Sequence, residues 1–94
     1  MVYDVKQKTL DGIELTRLEW QIIELLLEHK DIPLSGSKIA DLICNKYYVT
    51  GINSSITNAE SVSTVLCKLN KRFNKIIENK RSFGYRFVKE IETL

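Results

Sequence analysis

Lys68, Lys71 and Lys75 recur at three- and four-residue intervals behind Ser63, Thr64 and Cys67, and Lys80, Arg81 and Arg86 follow soon after. On a helix such spacing gathers cations and small polar side chains onto one side. A rigid rod of this kind beside a cationic flap suits a duplex, whose phosphates line two walls with base edges exposed between them. The chemistry on offer is charge and hydrogen bonding. No nucleophile beside a base, phosphate-cradling glycine loop or cluster of metal-ligating side chains is visible. Neither an enzyme nor a cofactor is therefore expected. Glu24 and Glu28 stand one turn apart on a helical face, where a solvated pair is the expected reading rather than acid–base chemistry.

Charge is unevenly placed. The whole chain carries only +2, yet residues 1–67 hold 6 Lys/Arg against 9 Asp/Glu, a balance of −3, while residues 68–94 hold 8 against 3, a balance of +5. Binding to a polyanion depends on the field at one face, so this local excess is a better pointer than the total. With 94 residues, 44% hydrophobic and 28% charged, the chain has the makings of one folded domain spanning residues 1–94. Cys44 and Cys67 lie 23 positions apart with a single His in the chain, which supports neither a zinc site nor a disulfide framework. Reduced thiols and a cytoplasmic location are expected. The opening residues show no basic leader, and the longest apolar run, Leu25 to Leu27, is far too short to cross a membrane.

Several elements must position the cationic set. Val2 to Leu15 alternates loosely around Asp11-Gly12, a dipeptide suited to a positive-φ turn, which predicts two short antiparallel strands. Thr16 with Glu19 fits a capping box, and Leu18, Ile22, Ile23, Leu26 and Leu27 recur at helical spacing behind it. Glu19, Gln21, Glu24 and Glu28 fall on the other, polar side of that first helix, and Pro33 follows its end at His29. A second helix is predicted from Lys38 to about Lys46, capped by Ser35 or Ser37. A long loop, Tyr47 to Asn58, comes next. In the third helix, about residues 60–75, Val62, Leu66, Leu69, Phe73 and Ile76 cluster within an arc of roughly 80° when residues are placed about 100° apart. Ser63, Thr64, Cys67, Lys68, Lys71, Asn74 and Lys75 fall on the far side. Paired strands over about 76–89 close the chain, with Tyr85 and Phe87 inward and Arg86 outward. The order strand, strand, three helices, hairpin belongs to an α+β domain, and a helix-turn-helix with a wing is its economical assembly.

At Leu15-Thr16-Arg17-Leu18-Glu19-Trp20, Leu25 to His29, Leu34-Ser35 and Gly84-Tyr85-Arg86-Phe87, nearly the whole chain resembles the C-terminal effector domain of OmpR/PhoB-type bacterial response regulators. That family combines an LTxLE helix start, a VxxHIxxLRxKL-like recognition helix and a VRGxGYRF wing; here Val62 to Phe73 and Lys80 to Phe87 take the last two places. The resemblance implies a winged helix with N-terminal antiparallel strands, a three-helix core and a C-terminal hairpin, acting as a sequence-specific transcription factor of a two-component system. By matching positions it implies that Ser63, Thr64, Cys67 and Lys68 face bases in the major groove and that Arg86 approaches the minor groove. Lys71, Lys75, Lys80 and Arg81 are then expected to hold phosphates. It also implies head-to-tail pairing of two copies on DNA, with a monomer expected in solution. The family touches RNA polymerase through the loop that corresponds to 45–60, which is longer here, so its role in this chain stays open.

Departures from the family pattern are specific. Val65, Cys67 and Asn70 replace the usual His and Arg of the recognition helix, and Ser82 stands where the wing usually has Gly. The chain is read either as an excised effector domain or as a free-standing regulator. Two plainer readings stand beside the sharp ones: a merely solvated face for Lys68 and Lys71, and a cross-strand charge partner in Glu78 for Arg86. Cys67 is read as a small groove-facing side chain in preference to a redox sensor whose thiolate Lys68 and Lys71 would stabilise. The rival function is a protein-interaction module on the same scaffold, docking on RNA polymerase or another regulator through Tyr47, Tyr48, Val49 and Ile52.

Overall fold

The computed structural model describes residues 1–30, 32–47, 59–80 and 83–94. The expected loop over 48–58, and with it Tyr48, Val49 and Ile52, lies outside those residues, as do Arg81 and Ser82. Among these residues six short strands and three helices follow in the order β1 (Val2–Asp4), β2 (Thr9–Leu10), β3 (Ile13–Glu14), α1 (Arg17–Glu28), α2 (Gly36–Tyr47), α3 (Ala59–Arg72), β4 (Ile77–Lys80), β5 (Gly84–Phe87) and β6 (Glu92–Thr93). The fold is α+β.

Two turns build the amino-terminal strands. The Asp4 carboxylate accepts from the amides of Lys6 and Gln7 at 3.0 and 3.1 Å, and the Lys8 amide reaches the Asp4 carbonyl at 2.8 Å, reversing the chain into β2. Asp11 and Gly12 then adopt φ of 51° and 82°, so Leu10 pairs with Ile13 across the two-residue turn expected there. Three strands form where two were expected, because both turns are tight enough to fit within fourteen residues. The unforeseen addition is β6, which pairs in parallel with β1 through Val2 opposite Glu92 and Tyr3 opposite Thr93. The four-stranded order is β3-β2-β1-β6.

Helix α1 starts on the predicted capping box, in which the Thr16 amide donates to the Glu19 carboxylate at 2.8 Å and the Thr16 hydroxyl accepts from the Glu19 amide. It ends at His29, whose amide donates to the Leu25 carbonyl. Its polar side differs from expectation. Glu19 and Gln21 are 4% and 2% exposed, because the rest of the domain packs round α1 on more than the one apolar stripe. Glu24 accepts from the Tyr3 hydroxyl at 2.5 Å and from the Lys8 ammonium at 2.7 Å, and Glu28 pairs with Lys46. The two carboxylates are thus separately engaged rather than forming a solvated pair.

Ser35, not Ser37, caps α2, accepting from the Lys38 amide at 3.1 Å. The helix reaches Tyr47, and α3 begins at Ala59, so both run into the ends of the expected 45–60 loop. At its other end α3 stops at Arg72, short of Lys75, because Asn74 and Lys75 take φ of 62° and 60° and turn the chain towards β4. Leu10, Ile22, Ile39, Val62, Leu69 and Ile76 are fully buried at the centre of the core, joining the first sheet to all three helices. Among the described residues no helix is long and apolar enough to cross a membrane.

Strands β4 and β5 pair antiparallel from Ile77 opposite Phe87 to Lys80 opposite Gly84. They are bound to the segment before α2 by Leu34, whose amide donates to the Tyr85 carbonyl at 3.1 Å and whose carbonyl accepts from the Tyr85 amide at 2.7 Å. The close approach depends on Gly84. At φ of 117° a β-carbon there would lie 2.4 Å from the Leu34 carbonyl carbon, inside any permitted contact. Replacing Gly84 by Ala is expected to destabilise the domain by about 3 kcal/mol, from backbone strain plus the clash; urea unfolding reads the loss as a lowered midpoint.

Candidate nucleic-acid interface

The outer side of α3 follows the predicted wheel. Ser63, Thr64, Cys67, Lys68 and Lys71 are all exposed, while Val62, Leu66 and Leu69 are buried beneath them. The helix therefore meets solvent with two hydroxyls, a thiol and two ammonium groups in a row. Thr64 donates its hydroxyl proton back to the Glu60 carbonyl at 3.0 Å, which leaves the hydroxyl oxygen able to accept but not to donate. Ser63 meets the Tyr85 hydroxyl at 3.1 Å. That contact sets β5 beside the amino-terminal half of α3.

Other expected site residues are distributed along the strand pair and its approach. Lys75 is exposed but sits past the end of α3, so helical spacing does not place it in register with Lys68 and Lys71. Lys80 is exposed at the end of β4. Arg86 is exposed on β5, and alternation along the strand turns it away from the side on which Tyr85 reaches Ser63. Its Nε donates to the Glu78 carboxylate at 2.8 Å, directly across the ladder. The plainer reading of Arg86, as a cross-strand charge partner, is therefore present in the fold. A pair this exposed is worth only about 0–1 kcal/mol, so it constrains the guanidinium weakly. Tyr85 and Phe87 are half-buried and pack against the core, as their shared face predicts.

Two residues missed by motif reasoning fix this surface in place. Asn70 stands where the resembled family has a cation, yet its side chain faces inward: Nδ2 donates to the Ile77 carbonyl at 2.8 Å and Oδ1 accepts from the Ile77 amide at 2.9 Å. One amide side chain thereby completes the hydrogen bonding of a buried backbone unit at the start of β4. Arg72 points back into the domain. It donates to both Glu19 carboxylate oxygens at 2.9 and 3.0 Å and to the Glu14 carbonyl at 3.0 Å. Spacing alone offered one signal for Arg72, since it lies between the exposed Lys71 and the buried Phe73 on the wheel.

The remaining exposed groups carry little chemistry of other kinds. Among the described residues no three His, Cys, Asp or Glu side chains come together as a metal site. Neither Cys44 nor Cys67 is in a disulfide. Comparisons with protein-family models, curated proteins and solved structures give no match for the chain. Asn70 offers a direct check on how α3 is held: Asn70→Ala leaves both polar groups of buried Ile77 unpaired. A loss of about 2 kcal/mol in urea unfolding is expected, against less than about 1 kcal/mol for Tyr85→Phe, which gives up one exposed hydrogen bond.

Proposed function

We propose that the chain is a winged-helix module that binds double-stranded DNA and regulates transcription, with α3 as the recognition helix and β4–β5 as the wing. The observation that carries this reading is the exposed row on α3, Ser63, Thr64, Cys67, Lys68 and Lys71, tied to the strand pair by the Ser63–Tyr85 contact. A helix about 10–12 Å across with its side chains fits the major groove, which is about 12 Å wide. In that pose Ser63, Thr64, Cys67 and Lys68 meet base edges, and Lys71 meets phosphate. Lys75, Lys80 and Arg81 add charge along the backbone. Hydroxyls and a thiol are short, uncharged readers, so base preference rests on few groups while affinity rests on the cations.

The wing enters the adjacent minor groove edge-on, which lets both of its faces meet groove walls. Arg86 is the group that reaches inward, and Glu78 competes with DNA for it. Pairing of two copies on repeated half-sites follows the pattern of the resembled family, because one small module covers a short stretch of duplex. Relief of the Arg86–Glu78 competition is testable. Glu78→Gln is expected to tighten duplex binding several-fold and to steepen the salt dependence by about 0.9, because one more phosphate-seeking cation is released; an unchanged slope removes Arg86 from the interface.

A salt titration of duplex affinity examines the whole reading. With about five phosphate contacts, log affinity falls against log salt with a slope near −4.5. Lys71→Ala flattens that slope by about 0.9. Lys68→Ala instead changes which sequences a random duplex pool yields, each lost base contact costing about 1–3 kcal/mol of discrimination. Absence of salt-sensitive duplex binding at micromolar protein would turn the assignment to the rival module that docks on another protein.

A further inference from the structure

A cleft of about 340 Å³ lies between the first turn of α2, Ser63 of α3 and the end of the β4–β5 pair. At ~30 Å³ per molecule it holds about ten waters, room for a sugar with its phosphate. Its walls differ in character. Gly36, Ser37 and Ser63 present backbone and hydroxyls, Lys80 presents an ammonium group, and Phe83 presents an apolar ring. Phe83 is 68% exposed, whereas Phe73 is buried and Phe87 half-buried. An aromatic ring left in water forgoes hydrophobic stabilisation that burial would supply, and its neighbours in the cleft are polar. The ring is nevertheless tethered, since the Phe83 amide donates to the Lys80 carbonyl at 2.9 Å and the next residue, Gly84, is pressed against Leu34.

We propose that this cleft seats one sugar–phosphate unit of the DNA backbone that runs between the major groove occupied by α3 and the minor groove occupied by the wing. The Phe83 ring lies on the deoxyribose and the Lys80 ammonium meets the phosphate, an inference that rests on the DNA-binding reading above. Deoxyribose turns carbon–hydrogen edges outward while the phosphate beside it is anionic, so a ring and an ammonium in one cleft match adjacent parts of a single nucleotide. The position agrees with the pose, because the cleft opens between α3 and the strand pair, where that stretch of backbone must pass. Charge favours DNA over an apolar peptide: exposed Lys80 lines the cleft together with the ring, and the described lining holds no carboxylate. Phe83 thus contributes affinity without contributing charge.

The separation of those two contributions supplies the experiment, run on the full chain with a random-sequence duplex and a single strand of the same length across a salt series. Phe83→Ala is expected to weaken duplex binding about tenfold at every salt concentration with no change of slope, because partial burial of the ring is lost but no counterion is involved. Phe83→Leu retains most of the affinity, and Lys80→Ala flattens the slope by about 0.9. Since the ring is exposed, Phe83→Ala keeps the wild-type thermal melt. Equal duplex affinity for wild type and Phe83→Ala overturns the inference and leaves the ring to a protein partner. A flattened slope in Phe83→Ala also overturns it, the ring then serving only to arrange cations. An equal loss on single strand and duplex replaces the sugar contact by base stacking. Failure of the wild-type chain to bind duplex in a salt-sensitive way would defeat the DNA reading itself, a result distinct from any of these.

Discussion

The fold depends on a buried carboxylate that has been given enough partners. Glu19 is almost wholly enclosed, a position where an ionised side chain is costly unless every oxygen is satisfied. Its two oxygens receive the Thr16 amide and the Arg72 guanidinium, and Arg72 extends to the Glu14 carbonyl. Two neighbouring elements, β3 and the start of α1, are thereby joined to the distant end of α3 by one planar fork. Removal of Arg72 alone would strand the carboxylate in the interior, which is more costly than never having placed charge there. The direction of α3 is therefore tied to the cap of α1.

That tie explains how α3 can leave a polar side in water and still be held firmly. Its anchors lie at the inner stripe and the carboxyl-terminal third: Val62, Leu66 and Leu69 in the core, Asn70 on the Ile77 backbone, and Arg72 on Glu19. None of these uses the outer row. Ser63 is the exception, and its contact with Tyr85 spans the junction between helix and strand pair. The strand pair is positioned independently through Leu34 and the tight passage at Gly84. A preformed surface results, with little ordering left to be done when a ligand arrives.

Patterns carried by short-range physics were legible in the sequence. The capping box at Thr16 and Glu19, the Asp11-Gly12 turn and the buried stripe Val62, Leu66 and Leu69 each follow from local geometry, and each is found; Phe73 and Ile76 are buried too, but past the end of α3. Strand β6 was not legible, because two residues pairing with the far end of the chain leave no periodic trace. The end of α3 was placed too late for a related reason: amphipathic spacing continues through Lys75, whereas the positive φ of Asn74 and Lys75 comes from the need to reach β4. Polarity places Glu19 and Gln21 on the solvent side of α1, whereas burial of Glu19 depends on a partner 53 positions away that helical spacing does not reveal. For the surface itself, exposure of Ser63, Thr64, Cys67, Lys68, Lys71, Lys80 and Arg86 followed from period and alternation. The Glu78–Arg86 pair was anticipated only as an alternative, because register across two strands is set by the fold.

The parallel pairing of β6 with β1 brings Met1 and Leu94 into one neighbourhood, with the Glu92 amide on the Met1 carbonyl at 2.8 Å and the Leu94 amide on the Tyr3 carbonyl at 2.9 Å. A topology of this kind lends itself to circular permutation: because the two strands run the same way, a linker of about a dozen residues returning from Leu94 to Met1 would make a continuous ring that can be reopened at a surface turn such as Asp11-Gly12. Cyclisation would also shorten the search by which β1 and β6 find each other, since their pairing would join segments close in the chain.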